Sequence, residues 1–220
     1  MNKFRLAIFV ILLGFGLAGG AVGYLLYSDP VPEPIDPITM YPPSGPFALT
    51  DHTGRAVTDQ DYRGKLMLVA FGYTYCPDVC PTGLQAMSST MDLLGGQADW
   101  VRPIFITIDP ARDTPEALKD YVSAFHPKLI GLTGTPEQIA RAADGYRVYY
   151  NKIPAPKDEG EDEEEEEDYS MGHTTSIYLV GVDGRGLAVF NFGMAATEVE
   201  AMTDRIRHFV NIQESLARAK

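Results

Sequence analysis

"FGYTYCPDVCP" (71–81) is the junction on which the fold of this chain turns. The apolar run "KLMLVAFGY" (65–73) leads into it, and "TGLQAMSSTMDLLGG" (82–96), with apolar residues at helical spacing and terminal glycines, leads out. A continuous apolar run of that length suits a strand buried on both faces. The stretch is therefore a strand-to-helix turn at the C-terminal end of a central strand, where open α/β sheets place their sites. It also holds both cysteines of the chain, Cys76 and Cys80, each followed by a proline.

Working outward, the pattern repeats. "FALTDHTGRAVT" (47–58) reads as a hairpin turning at Gly54, and "VRPIFITID" (101–109) as a second buried strand. "RDTPEALKDYVSAFH" (112–126) is a helix with Pro115 at its first position behind Asp113 and Thr114 as cap candidates. "KLIGLTG" (128–134) is a short strand, "TPEQIARAADGY" (135–146) a helix opened by Thr135 and Gln138 at capping-box spacing, and "YRVYY" (146–150) a strand candidate. "TTSIYLVGVDGRGLAVFNFG" (174–193) gives two strands around Asp183-Gly184. The final helix (197–220) carries an apolar stripe of Val199, Met202, Ile206, Phe209 and Val210, with Thr197 and Glu200 as a second capping-box candidate. Strands alternating with helices, then a hairpin and a helix, predict an α/β sandwich with a mixed central sheet flanked by helices.

Two segments stand outside this pattern. Leu6 to Tyr27 is a run of 22 residues without a charge, behind Lys3 and Arg5. As a helix it spans about 33 Å, enough to cross a bilayer. The preceding positive charges keep the N-terminus cytoplasmic and send the rest across. A cleaved signal peptide is the competing reading, with Ala18 and Gly20 as small residues, but the apolar run continues past them. The expected setting is a single-pass anchor in a bacterial inner membrane with the C-terminal domain in the periplasm, where disulfides form and persist. "SDPVPEPIDPITMYPPSGP" (28–46), with seven prolines, predicts an extended tether. The expected divisions are an anchor over 1–27, a Pro-rich linker over 28–45 and a domain over 46–220.

The net charge of −12 is local, because "DEGEDEEEEED" (158–168) holds ten of the 30 acidic residues. Without it, 20 acids face 18 bases, a balance of −2, so a nucleic-acid partner has no basic footprint. The acidic loop reads as a solvated, self-repelling segment, or as a device that steers metal ions or a basic partner surface.

The two prolines bias Cys76 and Cys80 away from helical dihedrals, which places the helix start at about Pro81 and both thiols ahead of it, near its positive end. That setting favours thiolates. A disulfide closing so short a loop removes little chain entropy. A redox pair is one residue longer than the usual spacing. A metal site needs further ligands from four histidines. His52 falls in a turn expected to be exposed, His126 at a helix end, His208 on the polar side of the last helix. His173 stands just before a buried strand. Two thiolates and an imidazole suit copper, whereas structural zinc normally takes a fourth protein ligand. Met171 reads as packing or as a soft thioether beside His173. Asp78, between the thiols, reads as a turn residue or as a group that tunes them or meets a partner.

"FGYTYCPDVCPTGL", "FITIDPARDTPEALKDY" and "DYSMGHTTSIYLVGVDGRG" resemble, in the same order, the three signature blocks of the Sco/SenC copper-chaperone family. The resemblance covers roughly 46–215. It implies a thioredoxin-like fold, copper held by Cys76, Cys80 and His173, and a role in assembling the copper A centre of cytochrome c oxidase. The implied partners are the oxidase subunit carrying that centre and a periplasmic thiol reductant or copper donor. The chain would then be a metallochaperone rather than a turnover enzyme. The alternative use of the same atoms is a thiol–disulfide oxidoreductase, with Cys76 and Cys80 as a redox-active disulfide that keeps the oxidase cysteines reduced. A peroxiredoxin-type peroxidase is disfavoured. Those enzymes have a threonine and a proline where this chain has Tyr73 and Val69.

Overall fold

Strand β3 (Leu66–Gly72) is buried along its whole length and organises the fold. Its side chains alternate between two cores. Met67, Val69 and Phe71 face one, and Leu66, Leu68 and Ala70 face the other. β3 pairs in parallel with β4 (Val101–Thr107) and antiparallel with β8 (Ser176–Val180). With β1 (Ala48–Asp51), β2 (Ala56–Thr58), β5 (Ile130–Thr133) and β9 (Gly186–Asn191), they form a seven-stranded mixed sheet of order β2-β1-β5-β4-β3-β8-β9. The computed structural model describes residues 42–154, 169–191 and 196–218. The expected anchor, nearly all of the linker and the acidic loop 158–168 lie outside them. Among the described residues no helix is long and apolar enough to cross a membrane.

Helices α1 (Val79–Leu94), α2 (Pro115–Ser123) and α4 (Ala196–Arg218) cover one face, and α3 (Pro136–Gly145) covers the other. The sequence explains their ends. Thr114 caps α2 by accepting from Ala117 N at 3.2 Å, with Pro115 following. Thr135 and Gln138 form the expected capping box on α3. Along α4, Met202, Ile206 and Val210 are fully buried. Such side chains are worth about 1.5–3 kcal/mol each. α4 begins at Ala196, so Thr197 lies within its first turn rather than at the cap.

The expected strand at 146–150 is displaced. Tyr146 ends α3 as a fully buried residue against Phe71 and Tyr178, and Arg147 takes a left-handed φ of 54°. Burying the Tyr146 ring beneath the sheet outweighs the strand preference of this aromatic run. Strand β6 begins only at Tyr150 (Tyr150–Pro154) and pairs antiparallel with β7 (Tyr169–His173). The pair forms a separate two-stranded sheet, an arm beside the main one.

Candidate metal centre

The cysteine turn leaves the C-terminal end of β3. Cys76 N–H donates to Tyr73 O at 3.2 Å, closing a tight turn, and Cys76 remains in it, 8% exposed. Cys80 does not sit ahead of the helix as expected. α1 begins at Val79, and Cys80 lies fully buried in its first turn. A proline in the first turn has no intrahelical bond to lose. The turn is closed instead by Thr82, whose N–H and hydroxyl donate to Asp78 O at 3.1 and 2.9 Å. Below, Gly72 makes room: a Cβ there would lie 2.7 Å from Cys80 Sγ.

Two carboxylates hold the surroundings. Asp113 was expected at a helix cap. It is fully buried and accepts from Thr74 N (3.1 Å), Thr74 Oγ1 (2.5 Å) and Thr107 Oγ1 (2.5 Å), pinning the turn to β4. Asp109, also buried, accepts from Arg112 Nε at 2.5 Å and from the Tyr169 hydroxyl at 2.8 Å. Sequence reasoning missed the roles of Asp109, Arg112 and Tyr169. Their signal was present only as parts of the "DPARDT" and "DYSMGH" blocks, since their contacts join separate segments.

His173 ends β7 and reaches the cysteines across 93 positions of sequence. Its Nε2 lies 3.4 Å from Cys80 Sγ, and its Nδ1 lies 2.9 Å from Thr174 O. A carbonyl only accepts, so Nδ1 donates to Thr174 O, and Nε2 is the ring nitrogen that faces the thiols. The donor atoms of Cys76, Cys80 and His173 all lie within 4.8 Å of one another. Donors bonded to one metal at roughly 2.0–2.3 Å stand about 4 Å apart, so the cluster fits one ion with little movement.

The thiols differ. Cys76 is lowered well below the usual thiol range, chiefly by the Cys80 thiol, with the Cys80 N–H also directed at its sulfur at 3.4 Å. Cys80 is raised by its side-chain interaction with Cys76 and by burial. Where the sequence suggested thiolates at both positions, the surroundings favour the thiolate at Cys76 and the thiol at Cys80.

The remaining candidates fall elsewhere. His52 is not simply exposed; its Nδ1 accepts from Gly131 N at 3.1 Å and ties β1 to β5. His126 Nδ1 accepts from Lys128 N at 3.1 Å, and His208 lies exposed on α4. Met171 is buried in the core, as its packing reading expects. Asp78 is exposed, and its side chain makes no cap bond.

A βαβ unit (β3-α1-β4) and a ββα unit (β8-β9-α4) joined in one mixed sheet, with two buried cysteines and a half-buried histidine clustered beyond the C-terminal end of β3, define a thioredoxin-like domain bearing a soft-donor centre. A family profile described as SCO1/SenC matches residues 37–211. The chain is 46% identical over 159 residues to the human mitochondrial SCO1 homolog, covering 71% of this chain and 50% of that protein. It is 35% identical over 196 residues to a SCO2-like protein of Rickettsia felis, covering 86% and 92%. The chain thus spans half the length of the human relative. A solved structure of Bradyrhizobium japonicum ScoI with copper bound matches with a TM-score of 0.64 at 45% identity, over 74% of this chain and 98% of that one. Arabidopsis thaliana ScoI with copper bound matches with a TM-score of 0.65 at 34% identity, over 76% and 99%. The chain belongs to the SCO1/SenC family.

Proposed function

We propose that this protein binds one copper ion through Cys76 Sγ, Cys80 Sγ and His173 Nε2 and delivers it during assembly of the copper A centre of cytochrome c oxidase. The observation that carries the reading is the convergence of two thiols and one correctly oriented imidazole within 4.8 Å. These soft-to-borderline donors suit copper, and solved relatives carry it. Delivery proceeds by ligand exchange to cysteines and histidines on the oxidase subunit, so the chain acts as a metallochaperone rather than a turnover enzyme. The apolar segment 6–27 anchors it in a bacterial inner membrane, with the domain over 46–220 in the periplasm. Exposed Asp78 tunes the thiols or meets a partner, and the acidic segment 158–168 steers copper ions or a basic partner surface by its charge.

Metal analysis of the reduced protein tests the reading. One copper per chain is expected in the wild type, with binding lost or greatly weakened in His173→Ala. Full-affinity binding by the variant would refute the ligand assignment.

The unequal thiols favour a second use of the same atoms. Cys76 as thiolate attacks a partner disulfide, and Cys80 then displaces the reduced partner. The pair gives up two electrons and its remaining proton, and closes to a disulfide. A reduction potential and exchange rate measured without metal separate this role from copper delivery.

A further inference from the structure

We infer that Arg112 is a positioning residue for His173: its guanidinium clasps the β6–β7 arm to the cysteine turn and so sets where the third donor stands. The inference rests on the copper reading above. His173 is carried by a two-stranded sheet that is separate from the main sheet holding the cysteine turn. Something must fix the distance between them, and Arg112, between β4 and α2, touches both sides. Its Nη1 donates to the Tyr169 carbonyl at 2.9 Å, and its Cζ lies 3.6 Å from the Tyr169 ring centroid, on the strand that ends at His173. On the cysteine side the same Cζ lies 4.6 Å from the Tyr75 ring and 5.8 Å from the Tyr73 ring. Tyr73 in turn meets the His173 ring edge-on at 6.1 Å.

Asp109 completes the clasp by accepting from both Arg112 Nε and the Tyr169 hydroxyl. A planar fork that stacks on a ring while donating in two directions is a task for arginine, and a lysine ammonium cannot reproduce it. Arg112 has no reach to the metal donors in these contacts; it acts through Tyr169 and Tyr73.

The test is a double-mutant cycle on the full chain, reduced and in detergent: wild type, Arg112→Lys, His173→Ala and the double variant. Copper(I) affinity is read by competition with a chromophoric chelator. Arg112→Lys is expected to weaken binding about 10- to 100-fold, the usual effect of losing a group that orients a ligand. In the His173→Ala background the same change is expected to have little further effect. Equal weakening in both backgrounds, or none in either, overturns the inference. Tyr169→Leu, which removes the stacked ring, gives the same pattern if Arg112→Lys fails to fold. The metal-free protein supplies an independent readout by NMR. Arg112→Lys shifts the His173 imidazole signals and leaves those of α4 in place; unchanged His173 signals overturn the inference. Absence of copper uptake by the wild type refutes the copper reading instead, and the NMR comparison then decides the inference alone.

Discussion

Asp113→Ala removes the group that pins the cysteine turn, and its cost follows from the contacts. The carboxylate accepts three hydrogen bonds, one from the fully buried Thr107 hydroxyl and two from the half-buried Thr74. Burial raises the Asp113 carboxyl above its usual range, and the threonine donors work against that rise. Alanine strands the Thr107 hydroxyl in a dry site, at about 1–3 kcal/mol. Water can reach the Thr74 donors, so they add less, roughly 1 kcal/mol each. The sum is about 3–5 kcal/mol. For a domain of this size that lowers Tm by roughly 6–20 °C. Thermal unfolding of the reduced, metal-free protein, followed by circular dichroism, is the assay. Asp113→Asn keeps an acceptor and should lose less than half as much. A loss below about 1 kcal/mol in Asp113→Ala would refute the reasoning, because solvent would then be replacing all three bonds.

Gly72→Ala should destabilise the protein by about 1–3 kcal/mol and weaken copper binding. The new Cβ would stand 2.7 Å from Cys80 Sγ and 2.8 Å from Phe105 Cε2. Urea unfolding and chelator competition check it, and wild-type values in both would show that α1 can shift without disturbing the site. A pH profile of stability in the reduced, metal-free state should bend twice. Between about 4, to which Cys76 is lowered, and the ordinary thiol value near 8.5, the unfolded chain holds a proton that folded Cys76 has released. Stability contributed by Cys76 therefore rises with pH in that window and is lost as pH falls toward its lower end. Above about 8.5 folded Cys80 keeps a proton that the unfolded chain loses, so its contribution falls as pH rises. Urea titrations of wild type and Cys76→Ser from pH 5 to 8 with the same slope would refute the assignment.

The main sheet was legible because its signals are local. β3 and β4 are continuous apolar runs, α2 and α3 open with cap residues and prolines, and the α4 stripe is periodic. What failed was non-local. "YRVYY" has strand composition, but Tyr146 is claimed by the core against Phe71 and Tyr178, and the strand waits until Tyr150. The partner of that strand lies beyond the acidic loop, so no window of sequence contains the pair. His52 looked like a turn residue because its acceptor role involves Gly131, 79 positions away. Asp113 looked like a helix cap because the residues it holds, Thr74 and Thr107, belong to other elements. His173 followed the same rule: its place beside the thiols came from family resemblance, not from spacing.

On the copper and disulfide readings proposed above, the unequal thiols link the two chemistries. In the metal-free state Cys76 is held toward its thiolate and Cys80 toward its protonated form. Thiolate ligation of a metal requires that proton to leave. Closing the disulfide requires the same departure, with two electrons following it. Copper and oxidation therefore compete for the same two sulfurs at the same protonation step, and neither can proceed once the other has. What tips the balance is the third donor, which contributes to metal binding and not to the disulfide. Its placement belongs to the arm, not to the cysteine turn. Asp113 fixes the sulfurs against β4, while Arg112 and Asp109 fix the arm against the turn. Changes at the first set alter both chemistries together, and changes at the second alter copper binding alone.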